Sequence, residues 1–187
     1  MSVNNDKKDC LLAFLSIYEM SSNDGYIGSI LVTDTQSIPL EFRCTHPIRP
    51  NIIQKTLYGD ILERYIGVNL CGIPLLRSLQ NSPSLLIVCR DFLLDIRKEV
   101  NYPVVYIRRE EEIILTQNDS SILKREKFES PTGKFEPIIL TFLPNFEDET
   151  VVKDILESVF YSFDPLEPFE RMNKAINVLL KEDKRFQ

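Results

Sequence analysis

Gly25-Tyr26-Ile27-Gly28-Ser29-Ile30-Leu31-Val32-Thr33, then Asp34-Thr35-Gln36-Ser37, then Ile38-Pro39-Leu40-Glu41-Phe42-Arg43-Cys44-Thr45 is the stretch that decides the fold class. The first run is rich in β-branched and aromatic residues and follows the turn signal Asn23-Asp24-Gly25, which predicts a strand. Four polar residues suit a hairpin connection. In the second run Ile38, Leu40, Phe42 and Cys44 fall on one face and Glu41, Arg43 and Thr45 on the other, the pattern of a strand with one face on a core. Pro47 and Pro50 stop the strand, since neither has an N–H to give a ladder, and Pro50 suits the first turn of a helix. From there Ile53, Leu57, Ile61 and Tyr65 recur every fourth residue, predicting an amphipathic helix with one apolar stripe. Gly59, costing about 1 kcal/mol against Ala inside a helix, marks either a close backbone contact or a break.

Working outward, residues 1–9 read as a frayed tail and 10–187 as one domain. Residues 10–19 predict a strand and 20–24 a loop. Two glycines and Asn69 end the first helix at 67–72, and 73–79 form a second with Pro74 in its first turn. Leu85-Leu86-Ile87-Val88-Cys89 is a continuous apolar run, the mark of a strand buried on both faces. Asp91 stands as N-cap of a helix over 92–100. Residues 104–107 predict another buried strand, 108–111 a turn, 112–117 a returning strand, 118–134 a mobile polar loop, and 137–143 a strand. A C-terminal helical pair fills 148–187: Asp148 caps the first helix, and Asp164-Pro165-Leu166-Glu167 opens the second with a capping-box pattern. The expected fold is a single α/β domain with a mixed β-sheet and packed helices. Strand, hairpin, helix, strand, helix, strand is the order of ribonuclease-H-like domains, an analogy of topology alone.

The run Gly25-Tyr26, Leu40-Glu41-Phe42-x-Cys44-Thr45-x-Pro47-Ile48-x-Pro50 and Gln54-x-x-Leu57-Tyr58-Gly59 resembles a motif in a family of bacterial proteins with no assigned activity. The resemblance covers a fifth to a quarter of the chain. It implies a bacterial intracellular setting and no chemistry. In the family pattern a histidine precedes the cysteine; Arg43 stands there here, which argues against a shared Cys-His pair.

The chain has 187 residues, 43% hydrophobic and 27% charged, with a formal net charge of −6. That length suits one well-buried domain, and that charge argues against broad electrostatic binding to nucleic acid or anionic membrane. The expected partner is another protein subunit. No apolar run approaches the roughly 18 residues of a membrane helix, and the N-terminus does not read as a secretory signal. Cys10, Cys44, Cys71 and Cys89 are widely spread, as expected of reduced thiols in a cytoplasmic protein.

Three constellations carry candidate chemistry. In a ribonuclease-H-like layout carboxylates from the first strand, the first helix and the end of the fourth strand converge on Mg²⁺ or Mn²⁺; Glu19, Glu63 and Asp91 occupy roughly those places. Each also has a plain role, as strand end, solvated helix residue and N-cap. Cys44 and His46, at i and i+2 on a strand, could share a face as metal ligands, joined by Cys71 or Cys89. Zinc sites usually show paired short spacings, and Cys44 shares its face with apolar residues, where a free thiol behaves as a small hydrophobe. Phe163, Phe169 and Met172 could anchor a partner, although they also suit cover for the sheet. Arg108-Arg109, with Lys124, Arg125 and Lys127, sits beside Glu110-Glu111-Glu112 and reads as a solvated turn. No P-loop, G-x-G-x-x-G, G-x-S-x-G or H-E-x-x-H occurs. The expectation is a non-enzymatic, cofactor-free protein-binding subunit or accessory factor. The alternative is a divalent-metal-dependent nuclease or nucleic-acid-processing factor.

Overall fold

A computed structural model describes residues 10–20, 25–110 and 123–186. The tail at 1–9, most of the 20–24 loop, the returning strand at 112–117 and the first part of the 118–134 loop lie outside the described residues.

Strand β1 (Leu12–Glu19) is apolar on both faces except at Ser16 and its outer end, and it lies in the middle of the sheet. It pairs antiparallel with β2 (Tyr26–Thr33), from Leu12 opposite Thr33 to Glu19 opposite Tyr26. β3 (Pro39–Cys44) pairs antiparallel with β2 and forms one edge. β4 (Leu85–Val88) runs parallel to β1 on its other side, and β5 (Val104–Arg109) parallel to β4. β6 (Lys124–Phe128) and β7 (Ile138–Phe142) complete the order β3-β2-β1-β4-β5-β7-β6, with β7 antiparallel to both β5 and β6. Residues 108–109 therefore continue β5 instead of turning, and part of the expected mobile loop is strand β6.

Helices cover both faces. On one, α4 (Glu149–Ser162) and α5 (Glu167–Glu182) bury Val152, Leu156, Val159, Phe160, Phe169 and Met172 against Phe14, Ile87, Val105 and Leu140. On the other, the helical stretch after β3 and a 3₁₀ helix over Asp91–Lys98 pack Ile66, Cys71, Leu75, Leu93 and Ile96 on Leu15, Ile30, Leu86 and Val88. The alternation along β1 sends Phe14 to the first core and Leu15 to the second, which is why both of its neighbours are buried.

The stretch after β3 departs from the sequence expectation. α1 (Ile52–Tyr58) starts at Asn51, whose side chain and that of Gln54 form a reciprocal capping box. It ends at Gly59, which has φ +49° and nothing within 4 Å of an added Cβ. Gly59 is thus a helix break and not a close contact. A 3₁₀ turn (Gly59–Ile61) leads to α2 (Leu62–Tyr65), a π-helical segment (Ile66–Gly72) and α3 (Ile73–Ser78). Residues 67–72 do not end the helix. Gly67 and Gly72 let it pass under Phe92 and Ile96, where an added Cβ would meet side-chain atoms at 2.6 Å.

Two expected caps do other work. Asp148 precedes α4 but makes no side-chain cap; its carboxylate is held by Arg97. Asp91 is the first residue of a 3₁₀ helix, whose N-cap is Arg90, and its carboxylate accepts from the N–H of Phe92 at 2.7 Å.

Glu41 fastens edge strand β3 to the loop before β4. Its carboxylate accepts from Arg43 Nε at 2.5 Å, from the backbone N–H groups of Gln80 and Asn81 at 3.0 and 3.1 Å, and from Asn81 Nδ2 at 2.9 Å. Burial alone would raise its pKa; the hydrogen bonds from Arg43, Asn81 and the two backbone amides overcome that and hold it at about 2. A carboxylate with a depressed native pKa stabilises the fold above its unfolded pKa of about 4.3, and that stability is lost as pH falls toward 2. Glu41→Gln is therefore expected to lower the melting temperature at pH 7 and to narrow its deficit against wild type between pH 5 and pH 2. Melts across that range check it; a deficit independent of pH would show that the charge of Glu41 is not what matters.

Candidate functional site at the strand switch point

The chain leaves β1 toward β2 on one side of the sheet and leaves β4 toward β5 on the other. In open α/β sheets the crevice beyond the carboxyl ends of two such strands is the usual ligand position. At that end of the two strands lie Ser16, buried at 4% exposure, and Cys89, just past β4. The Cys89 thiol donates to Ser16 Oγ at 3.6 Å, and the Cys89 N–H donates to the carbonyl of Leu15. Burial pushes the Cys89 thiol up by more than its hydrogen bond to Ser16 lowers it. It stays a protonated thiol at neutral pH and is not an activated nucleophile.

Glu19 ends β1 directly opposite Tyr26, and Glu63 comes from α2. The Tyr26 hydroxyl is pushed up by burial first and then by the charges of Glu19 and Glu63. Two of the three carboxylates singled out in the sequence therefore act on one phenol. Asp91 instead lines a cleft of about 270 Å³ with Arg64, Phe92, Leu94, Asp95, Leu123, Leu143 and Pro144. There Arg64 pairs with Asp95, which also takes Lys98 at 2.7 Å.

Ribonuclease-H-like proteins imply divalent cations, and hard cations of that kind call for converging oxygen ligands. Where β1 and β4 face each other the side chains are a hydroxyl and a thiol. Among the described residues no group of three or more His, Cys, Asp or Glu side chains could hold a metal ion. The described residues do not fit a two-metal site, and no reaction step is assigned to one.

Cys44 and His46 each pack on apolar neighbours. β3 ends at Cys44, whose thiol is pushed up by burial beside Ile27, Ile176 and Leu179. His46 lies beyond the strand and stacks on Phe186 at 5.4 Å. Cys71 is a core thiol pushed up to about 11 by burial, against weaker hydrogen bonding to Thr45 and Gly28. Three of the five basic residues are in ion pairs: Arg109 with Asp164 and Glu136, Lys124 with Glu149 and Glu126, and Lys127 with Glu110. Ser16, Tyr26 and Arg64 were missed as site residues, and Cys89 was considered only as a ligand joining Cys44 and His46. Ser16 alone left a signal, as the one polar residue in the apolar run from Leu11 to Ile17.

No protein-family model and no curated protein matches the chain. Among solved structures it is similar to Endonuclease V from Bacillus subtilis, at 9% identity and a TM-score of 0.58, over 92% of this chain and 83% of that one. The fold is ribonuclease-H-like. Endonuclease V from Ciona intestinalis, in complex with an inosine-containing 24mer DNA, also matches, at 12% identity and a TM-score of 0.48 over 81% of this chain and 78% of that one.

The similarity in fold to Endonuclease V stands against the expectation of a non-enzymatic protein-binding subunit and favours the nucleic-acid-processing alternative, and two of the three supposed anchors are buried. Phe169 is 8% and Met172 1% exposed, and Phe163 packs its ring edge-on to Phe14 at 6.5 Å. Phe169 and Met172 are core residues that cover the sheet, and Phe163 is half-buried against it. No helix among the described residues is long and apolar enough to cross a membrane.

Proposed function

We propose that this protein is a nucleic-acid-processing factor that engages its substrate beyond the carboxyl ends of β1 and β4. The observation that carries this reading is the similarity in fold to Endonuclease V over nearly the whole chain. The carboxyl ends of β1 and β4 support it with polar side chains: Ser16 and Cys89, hydrogen-bonded to each other, and Glu19 and Glu63, whose charges act on Tyr26. Asp91 and Arg64 line a cleft of about 270 Å³. The reading includes a cytoplasmic setting, supported by four free cysteines with no disulfide.

With a net charge of −6 and its described basic groups largely in ion pairs, the protein would bind by local contacts and not by a broad phosphate-facing patch. The logarithm of the affinity should then fall with the logarithm of salt with a slope no steeper than about −2, which corresponds to one or two neutralised phosphates. Ultraviolet cross-linking of short DNA and RNA oligonucleotides, followed by peptide mapping, locates the surface. Adducts are expected within residues 16–26, 58–65 and 89–95. Adducts confined to the outer surface of α4 and α5 would contradict the assignment.

A further inference from the structure

The two basic residues of β5 and β6 that have no carboxylate partner among the described residues, Arg108 and Arg125, share one face of the sheet. On β6, Lys124 and Glu126 pair with Glu149 and Lys153 of α4, and Phe128 stacks on Phe160. Arg125 and Lys127 therefore point away from α4. On β7, Ile138, Leu140 and Phe142 belong to the core under α4 and α5, so Ile139 and Thr141 face away with them. Register sets Thr141 between Tyr106 and Arg125, and Ile139 between Arg108 and Lys127. Strand spacing and rise then place the Cβ atoms of Arg108 and Arg125 about 12 Å apart across β7, a gap that two arginine side chains can close.

Three groups on this face are short of partners among the described residues. Arg108 is 9% exposed, and its guanidinium donates to the carbonyl of Arg109 at 3.3 Å. Arg125 is exposed and forms no ion pair. The Thr141 hydroxyl is buried and makes no hydrogen bond. A largely buried guanidinium without an acid is costly, and a buried hydroxyl without a partner is uncommon in a folded protein. Lys127 is matched by Glu110, so the uncompensated charge is that of the two arginines. We propose that Arg108 and Arg125 hold one phosphate group between them over β7. A carboxylate has two oxygens, which a single guanidinium fork takes up. A phosphate offers further oxygens to a second fork arriving from the other side. The phosphate can be free or part of a nucleic-acid backbone. The site stands apart from the nucleic-acid reading, and either can fail alone.

Nuclear magnetic resonance titrations of the ¹⁵N-labelled full chain test it, one with inorganic phosphate and one with a short oligothymidylate, both at constant ionic strength. Wild type is expected to bind at least one of the two saturably, with shifts centred on β5, β6 and β7. Arg125→Ala changes an exposed side chain and should weaken that binding about tenfold, the loss expected of charge-assisted hydrogen bonds. Arg125→Lys keeps the charge without the fork and should recover only part of it. Arg77→Ala removes an exposed charge on α3 and should change the affinity by less than about twofold. Arg108→Ala should abolish binding; if that variant does not fold, the Arg125 variants carry the test alone. Binding of inorganic phosphate by itself assigns the site to free phosphate. Binding of the oligonucleotide alone, with a salt slope shallower by about one in Arg125→Ala, assigns it to a backbone phosphate. Saturable binding of neither, up to about 50 mM phosphate and about 1 mM oligonucleotide, overturns the proposal. So does binding that Arg125→Ala leaves unchanged, or that Arg77→Ala weakens equally.

Discussion

Phe14→Ala is expected to destabilise the protein by about 3–5 kcal/mol, the range for truncating a fully buried aromatic ring. Phe14 sits at the centre of β1 with no exposed surface, and its ring takes the edges of Phe163 at 6.5 Å and Phe169 at 5.7 Å. The ring thus joins the middle of the sheet to α5 and to the linker before it. Its loss removes apolar burial and two edge-to-face contacts, and leaves a cavity that the sheet cannot close by moving. For a domain of this size the melting temperature should fall by roughly 10 °C, and urea unfolding should show the same loss with an unchanged slope. A loss under about 1 kcal/mol would mean that α5 does not pack on β1 in this way.

Asp148→Ala should cost about 3 kcal/mol by a different route. Arg97 forks onto the Asp148 carboxylate, Nε to Oδ2 at 2.7 Å and Nη2 to Oδ1 at 3.1 Å. The same guanidinium donates to the carbonyl of Val100 at 2.9 Å and lies 4.3 Å from the centre of the Phe146 ring. Asp148 is 7% exposed. The pair ties the end of the 3₁₀ helix on one face of the sheet to the start of α4 on the other. Removing only the acid leaves a largely buried, unpaired guanidinium, which is more damaging than the net worth of the pair. The double variant Arg97→Leu/Asp148→Leu should therefore be more stable than Asp148→Ala. Urea titrations of wild type and both variants decide it. A double variant that is less stable than the single one would show that the fork itself, and not the stranded charge, accounts for the loss.

The sheet was legible in the sequence because strands buried on both faces leave a signature that little else imitates. Leu85 to Val88 and Val104 to Ile107 read as continuous apolar runs, and both are buried parallel strands. What surrounds the sheet was less legible. The spacing of Ile53, Leu57 and Ile61 encodes amphipathicity, but the same spacing serves a helix laid on its own core and one left facing outward. Only the structure shows that nothing described covers it. Ile38, Leu40 and Phe42 show the same ambiguity: their alternation is real, yet β3 is an edge strand and they are 52%, 50% and 38% exposed. Asp148 and Asp91 stood where caps belong, but a carboxylate goes to whichever donor the tertiary fold brings nearest, and for Asp148 that was Arg97. The carboxylate trio followed from assuming that topology carries chemistry with it. The fold held, while the positions where β1 and β4 face each other carry Ser16 and Cys89.

The most direct test of the central claim is a fluorescence-anisotropy titration of the purified chain against labelled single- and double-stranded DNA and RNA, in magnesium and in its absence, with the same samples run on a denaturing gel. The account predicts saturable binding or cleavage of at least one of these nucleic acids, with any binding showing the shallow salt dependence derived above. Neither binding nor cleavage of any of them at protein concentrations up to about 100 µM would contradict it.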